Sequence, residues 1–118
     1  MTFVLVLTGG ALGAMLRYAL DARAKQRFGK AFPWGTLTVN ILGTGLLGAL
    51  HGAGTGTAVE ALLGTGFCGA LTTFSTFSLD TVHLVQSGEH AKAAVNVAVS
   101  LLLGVVVFAL LYVLFRAL

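Results

Sequence analysis

The chain has 118 residues, of which 57% are hydrophobic and only 9% are charged, and its formal net charge is +3. About a quarter of the residues of a soluble domain are charged, so this composition excludes an ordinary soluble protein and predicts an all-α membrane protein. At about 20 residues per span, the length allows four membrane-spanning helices. Most of the basic residues cluster between Arg17 and Lys30, which indicates a membrane-flanking loop and not a nucleic-acid site.

The first predicted span covers residues 2–20 and combines small residues with one charge. Gly9 and Gly13 are four residues apart, the spacing that lets two helix backbones approach closely, so we expect them to serve packing. Arg17 lies near the end of the apolar run. Its position alone favours an interfacial arginine that extends towards the headgroups, over a positive charge at the mouth of an anion path.

The second predicted span covers residues 34–50 and carries a polar side chain near its middle. Pro33 suits a first helical turn, and Trp34 suits a membrane interface. Asn40 lies near mid-span, with Thr36 one turn before it. A buried amide in lipid needs hydrogen-bonding partners, so Asn40 either joins helices or lines a polar pathway, and the sequence leaves both alternatives open.

The third predicted span, residues 58–85, is longer than one straight crossing requires and contains a poor helical sequence. Three glycines ending at Gly69 weaken the helix, and a cluster of hydroxyl side chains follows them. Phe74 and Phe77 share one face if that segment is helical. A break between Gly69 and Thr72 would leave carbonyl groups without N–H partners, and such carbonyls suit a cation.

The fourth predicted span covers residues 91–114 and carries one polar stripe. Asn96, Ser100 and Gly104 fall four residues apart, so they form either a packing seam or the wall of a water-filled path. Four spans place both termini on one side of the membrane. Six of the seven Lys and Arg residues lie on the other side, which predicts that the termini are outside.

The groups expected at mid-depth are neutral and polar, and they favour weak ion contacts over acid–base chemistry. The acidic residues all lie near predicted span ends, so no enzyme mechanism is indicated. The positive edges of two phenyl rings could contact a small anion without trapping it, while amide and hydroxyl groups replace its hydration. Because four helices form a thin wall, a homo-oligomer with the break at its interface is expected. This chemistry permits a small-anion channel without naming the ion.

Three blocks of the sequence resemble the motifs of one family, the small dual-topology fluoride channels called Fluc or CrcB. They occur in the order of the family's first three spans: Gly9-Gly10-x-x-Gly13-Ala14-x-x-Arg17-Tyr18, Pro33-x-Gly35-Thr36-Leu37-x-Val39-Asn40-x-x-Gly43 and Gly66-Phe67-Cys68-Gly69-x-x-Thr72-Thr73-Phe74-Ser75-Thr76-Phe77. The third of these blocks is specific to the family.

The resemblance implies a fluoride-selective channel that passively exports fluoride across the inner (plasma) membrane of a microbial cell. It implies an antiparallel, dual-topology homodimer of four-helix subunits in the lipid bilayer, with a broken third helix and two pores. A structural sodium ion on the dimer axis would be the one cofactor, held by the backbone carbonyls of Gly69 and Thr72. Dual topology expects little Lys and Arg bias, whereas this chain has a strong one.

The same resemblance assigns the site residues. The residues expected to form the fluoride pore are Phe74, Phe77, Asn40, Ser100, Thr76 and Thr36. Arg17 becomes a vestibule charge, which reverses the preference drawn from its position alone. Asn96 and Gly104 stand where relatives often carry hydroxyl groups, so this chain departs from the family's polar track there.

Two other functions compete with a fluoride channel. A small proton-coupled drug exporter would need a carboxylate inside the membrane, and the first two predicted spans contain none. A purely structural membrane subunit, in which the small residues serve packing alone, would carry no ion flux when reconstituted by itself.

Overall fold

The computed structural model describes residues 1–118, and all of its regular elements are helices, which confirms the all-α prediction. The elements are α1 (Thr2–Phe28), α2 (Trp34–Ala53), α3 (Thr57–Val59), a π-helical stretch (Glu60–Cys68), α4 (Gly69–Leu71), α5 (Phe74–Gln86) and α6 (His90–Ala117). The segments α3, π-helical stretch and α4 follow one another directly, and together they are called the 57–71 helix.

Three stretches are long and apolar enough to cross a membrane, judged by length and composition: Thr2–Phe28, Thr57–Gln86 and His90–Ala117. Helix α2 is not among them, although its 20 residues would extend about 30 Å. The longest dimension of the chain, 46 Å, exceeds the hydrocarbon core of a bilayer, which is about 30 Å thick. These features indicate a multi-pass membrane protein, and the four predicted crossing limits stay predictions.

Helix α2 forms the centre of the fold because it packs against both α1 and α6. Nine of its residues are buried, more than in any other helix. Gly48 and Gly52 lie directly against the α6 backbone, where a Cβ atom would overlap main-chain atoms of Phe108 and Tyr112. The small residues of α2 therefore allow the two helix backbones to approach closely.

Helix α1 packs on the 57–71 helix in the same way. A Cβ atom at Gly9 would overlap the Leu62 carbonyl oxygen, and one at Gly13 would overlap the Phe67 carbonyl oxygen. The packing role predicted for this glycine pair is confirmed. The outer faces of α1 and α6 keep large apolar side chains exposed, as a surface in contact with lipid requires.

Candidate functional site

Helices α4 and α5 are separated by two residues in extended conformation. The φ and ψ angles are −79° and 154° at Thr72, and −148° and 116° at Thr73. The Thr73 hydroxyl caps α5 by accepting the backbone N–H of Thr76 at 3.2 Å. The expected break lay between Gly69 and Thr72, but Gly69 is itself helical, and the extended residues follow it. The interruption therefore falls at the hydroxyl-rich end of the predicted interval.

Asn40 contacts the interruption from α2 and forms two hydrogen bonds with one residue. Its Oδ1 accepts the Thr73 backbone N–H at 2.8 Å, and its Nδ2 donates to the Thr73 carbonyl oxygen at 3.3 Å. The Asn40 side chain thus supplies hydrogen bonds that a continuous helix would otherwise have given to the buried backbone of Thr73. A carboxamide has two N–H donors, so one donor of Asn40 remains for another contact.

These contacts also release two backbone carbonyls. In a continuous helix the Thr73 N–H would bond to the Gly69 carbonyl, and the Thr76 N–H would bond to the Thr72 carbonyl. Here the Thr73 N–H donates to Oδ1 of Asn40, and the Thr76 N–H donates to the Thr73 hydroxyl oxygen. The two carbonyls that lose these partners belong to the residues expected to hold sodium.

A cavity of about 560 Å³ opens beside the interruption, and we call it the phenylalanine cavity. It brings together six of the nine predicted site residues: Asn40, Gly69, Thr72, Phe74, Phe77 and Ser100. The Phe74 and Phe77 rings have centroids 5.9 Å apart and planes inclined at 42°. Phe74 is 79% exposed, so most of its ring is free to contact another molecule.

The other three predicted residues lie in a separate pocket. Arg17, Thr36 and Thr76 line a space of about 240 Å³, called the arginine pocket, together with Thr73. Thr73 also lines the phenylalanine cavity, so it separates the two spaces. The structure therefore divides the predicted pore residues into two groups on either side of the interruption.

A charged cavity of about 440 Å³ adjoins the arginine pocket at the end of the fold where the basic residues lie. Asp21 pairs with Lys25 at 2.9 Å, and both residues line this cavity. Asp80, expected only near the interface, accepts a hydrogen bond from the Thr36 hydroxyl at 2.8 Å. The hydroxyl hydrogen of Thr36 is therefore engaged with a carboxylate. Sequence reasoning missed this contact because the two residues lie on different helices.

The polar stripe of α6 lies partly within the site. Ser100 lines the phenylalanine cavity, whereas Asn96 is buried and donates to the Thr81 hydroxyl at 3.0 Å. Gly104 is buried, and a Cβ atom there would meet only the tip of Ile41. Of the two alternatives for the stripe, Ser100 fits a cavity wall, while Asn96 and Gly104 fit a packing seam.

The far end of the phenylalanine cavity contains two residues that sequence reasoning left outside the site. His51 and Glu60 both line it. Glu60 accepts a hydrogen bond from the Thr55 hydroxyl at 3.1 Å, and His51 Nδ1 lies 2.9 Å from the Leu47 carbonyl oxygen. Their positions at span ends had suggested interfacial roles, and no local sequence signal links them to the phenylalanines.

Comparison with known proteins finds similarity over nearly the whole chain. A family model described as "CrcB-like protein, Camphor Resistance (CrcB)" matches residues 4–112. A Shewanella amazonensis protein named "Fluoride-specific ion channel FluC" is 46% identical over 102 residues, which cover 83% of this chain and 82% of that protein. Proteins of the same name from Shewanella woodyi and Shewanella oneidensis are 44% and 46% identical, with the same coverage. The similarity thus reaches from α1 into α6.

Proposed function

Because this chain belongs to the CrcB family, we propose that it is a fluoride-specific ion channel through which fluoride leaves the cell passively, down its gradient. The observation that carries the proposal is the family match over residues 4–112, which includes every proposed site residue. The relatives are ion channels, and the chain is accordingly not an enzyme. We place the protein in the inner (plasma) membrane, where fluoride would leave the cytoplasm.

The proposed pore runs past Phe74 and Phe77, with Asn40 and Ser100 as polar neighbours. The hydrogen-bearing edge of a phenyl ring is electropositive, so two inclined rings offer weak attraction to a small anion. The spare N–H of Asn40 can replace part of the lost hydration. Several weak contacts allow an ion to enter and also to leave, as conduction requires.

The arginine pocket is the proposed entrance to this pore. Arg17 is half-buried and supplies a positive charge that raises the local concentration of anions. Thr36 and Thr76 line the pocket beyond it, next to Thr73. A fluoride ion would pass from Arg17 along these two hydroxyl-bearing residues before it reaches Asn40.

We propose that the active form is an antiparallel, dual-topology homodimer with two pores and one sodium ion on its axis. Two features support a partner at this face: Phe74 is 79% exposed, and Gly69 is exposed with no neighbour near its Cβ position. The released carbonyls of Gly69 and Thr72 supply the oxygen donors that sodium prefers, and a broken third helix presents them. Sodium would neutralise these partial charges and hold the two subunits together.

Fluoride efflux from liposomes tests the proposal directly. Purified wild-type protein should release fluoride, and it should release no chloride under the same gradient. Equal chloride flux would contradict fluoride selectivity, and a complete absence of flux would favour a structural subunit. A pH-sensitive dye in the same vesicles tests the proton-coupled drug exporter. That alternative requires a carboxylate inside the membrane, and Glu60 lines the phenylalanine cavity. Proton movement coupled to a drug-like cation would support that alternative.

Two substitutions and one control locate the pore. Phe74→Ile and Asn40→Asp should slow fluoride release while the protein still forms dimers, because one loses a ring edge and the other adds a negative charge. Phe3→Ile makes the same change as the first at an exposed position on α1 and should leave the flux unchanged. If both site variants conduct like the wild type, the phenylalanine cavity is not the pore.

A further inference from the structure

A chain of hydrogen bonds joins α6 to α5 near the phenylalanine cavity. Nδ2 of Asn96 donates to the Thr81 hydroxyl at 3.0 Å, and this hydroxyl donates to the Phe77 carbonyl oxygen at 2.8 Å. Asn96 is only 1% exposed, so water does not compete for its amide. In a surrounding of low polarity, consecutive hydrogen bonds of this kind strengthen one another.

These hydrogen bonds lie one helical turn from the phenylalanine cavity along both α5 and α6. The connection between α5 and α6 covers only residues 87–89, so the two helices run antiparallel. Thr81 is four residues after Phe77, and Asn96 is four residues before Ser100. Because Phe77 and Ser100 both line the phenylalanine cavity, the Asn96–Thr81 bond fixes the separation of the two walls that carry them.

Within one subunit, helix α5 has few other contacts that hold it in place. Leu84 is its only buried residue. A helix with so little buried apolar surface moves easily unless polar contacts restrain it. Asn40 of α2 holds Thr73, the capping residue at the start of α5, by two hydrogen bonds. Within α5 itself, the side-chain bonds to neighbouring helices are Thr36–Asp80 to α2 and Asn96–Thr81 to α6. Only the second is joined to the backbone of Phe77, through the Thr81 hydroxyl.

Burial of the Asn96 side chain also has an unfavourable effect on the free energy of folding. Its Oδ1 is buried and has no hydrogen-bonding partner within the chain, and the same holds for the Ser100 hydroxyl. A buried polar atom without a partner opposes folding. The net contribution of the Asn96 side chain to stability is therefore small or unfavourable, which separates a positioning role from a stabilising one.

We propose that Asn96 and Thr81 are positioning residues, which set the orientation of Phe77 relative to Ser100 across the phenylalanine cavity. The inference rests on the proposed function, since it assigns these residues to the fluoride path through Phe77. Neither residue contacts the ion. Their effect on conduction is transmitted through the α5 turn between residues 77 and 81.

Four variants and three measurements, of which the third is the thermal midpoint, test this role. Thr81→Val keeps the shape of the side chain and removes the hydroxyl, Thr81→Ser restores it, and Asn96→Leu removes the amide. Thr8→Val is the matched control, because the Thr8 hydroxyl makes the same bond to the carbonyl four residues earlier but has no further partner. Fluoride efflux reports conduction, and ¹⁹F NMR of 4-fluorophenylalanine at position 77 reports the ring environment.

We expect Thr81→Val and Asn96→Leu to lower fluoride flux about fivefold, the change expected for the loss of one neutral hydrogen bond. Both should shift the ¹⁹F resonance, while the thermal midpoint of Asn96→Leu stays equal to the wild type or rises. Thr81→Ser should restore flux, and Thr8→Val should change nothing. Unchanged flux and an unchanged resonance in both variants would overturn the inference. So would a lowered thermal midpoint in Asn96→Leu with an unchanged resonance. A wild-type protein without flux would refute the proposed function instead, and the ¹⁹F shift would still test the positioning.

Discussion

The 57–71 helix has a closed face, which contacts glycines of α1, and an open face, which carries a glycine of its own. On the closed face, Leu62 and Phe67 lie so near α1 that Gly9 and Gly13 have no room for a Cβ atom. On the open face, a Cβ atom at Gly69 would have no neighbour within 4 Å. The same residue type thus serves close helix packing on one side and leaves an unoccupied surface on the other.

The contrast between these faces locates the chemistry of the molecule. The closed face is backbone against backbone, and no ion could pass through it. The open face borders the phenylalanine cavity, the released carbonyls of Gly69 and Thr72 and the Asn40 side chain. A glycine pattern alone therefore predicts close packing only where a second helix is actually present.

Gly9→Ala should have the largest effect, because it breaks the closed face. The added methyl group would overlap the Leu62 carbonyl, and since backbone atoms cannot rotate away, the two helices must separate. We expect a loss of about 3 kcal/mol in unfolding free energy, the upper end of the usual cost of overpacking. Unfolding by SDS in mixed micelles measures it.

Gly10→Ala is the matched control on the same helix. Its Cβ atom would lie 3.8 Å from the Gly66 carbonyl oxygen, an ordinary van der Waals contact. The variant should unfold like the wild type. Equal destabilisation by the two substitutions would mean that α1 tolerates no added volume anywhere, and the special closeness at Gly9 would have to be abandoned.

Asn40→Ala should have the next largest effect, because Asn40 holds the interruption that borders the open face. The substitution leaves the N–H and carbonyl of Thr73, which is only 8% exposed, without their partner. We expect a loss of about 2 kcal/mol in unfolding free energy, since each buried group left unpaired costs about 1–3 kcal/mol. Thr38→Ala, an exposed change on the same helix, is the control. Equal stability of Asn40→Ala and the wild type would show that Thr73 finds other partners.

Local patterns predicted the helical content and the close packing at Gly9 and Gly13. They succeeded because composition, residue spacing and helix propensity are properties of neighbouring residues. The break was expected between Gly69 and Thr72, and the two extended residues, Thr72 and Thr73, lie at the end of that interval. Its position depends on Asn40 of α2, whose side chain accepts a hydrogen bond from the Thr73 N–H. Propensity alone cannot include such a partner.

The contacts that the sequence did not reveal all join residues on different helices. Asn40–Thr73, Thr36–Asp80 and Asn96–Thr81 are separated by 33, 44 and 15 residues along the chain. Each depends on how one helix is rotated about its axis relative to another, and rotation is set by the packing of whole helices. The division of the predicted pore residues into two spaces also depends on a contact between distant residues. Thr73, which Asn40 holds, lines both spaces.

Gly69→Ala should have the smallest effect on the fold and is the sharpest test of the open face. A Cβ atom fits within the subunit, and alanine favours a helix over glycine by up to about 1 kcal/mol, so the unfolding free energy should stay equal or rise slightly. If a second copy covers this face, the methyl group would meet the partner's backbone and weaken the dimer. We therefore expect a larger monomer fraction in chemical cross-linking and a loss of stabilisation by added sodium. Gly56→Ala adds a methyl group at another open position away from the interruption and should leave the dimer intact. A Gly69→Ala protein that cross-links and responds to sodium like the wild type would place the dimer contact elsewhere on the molecule.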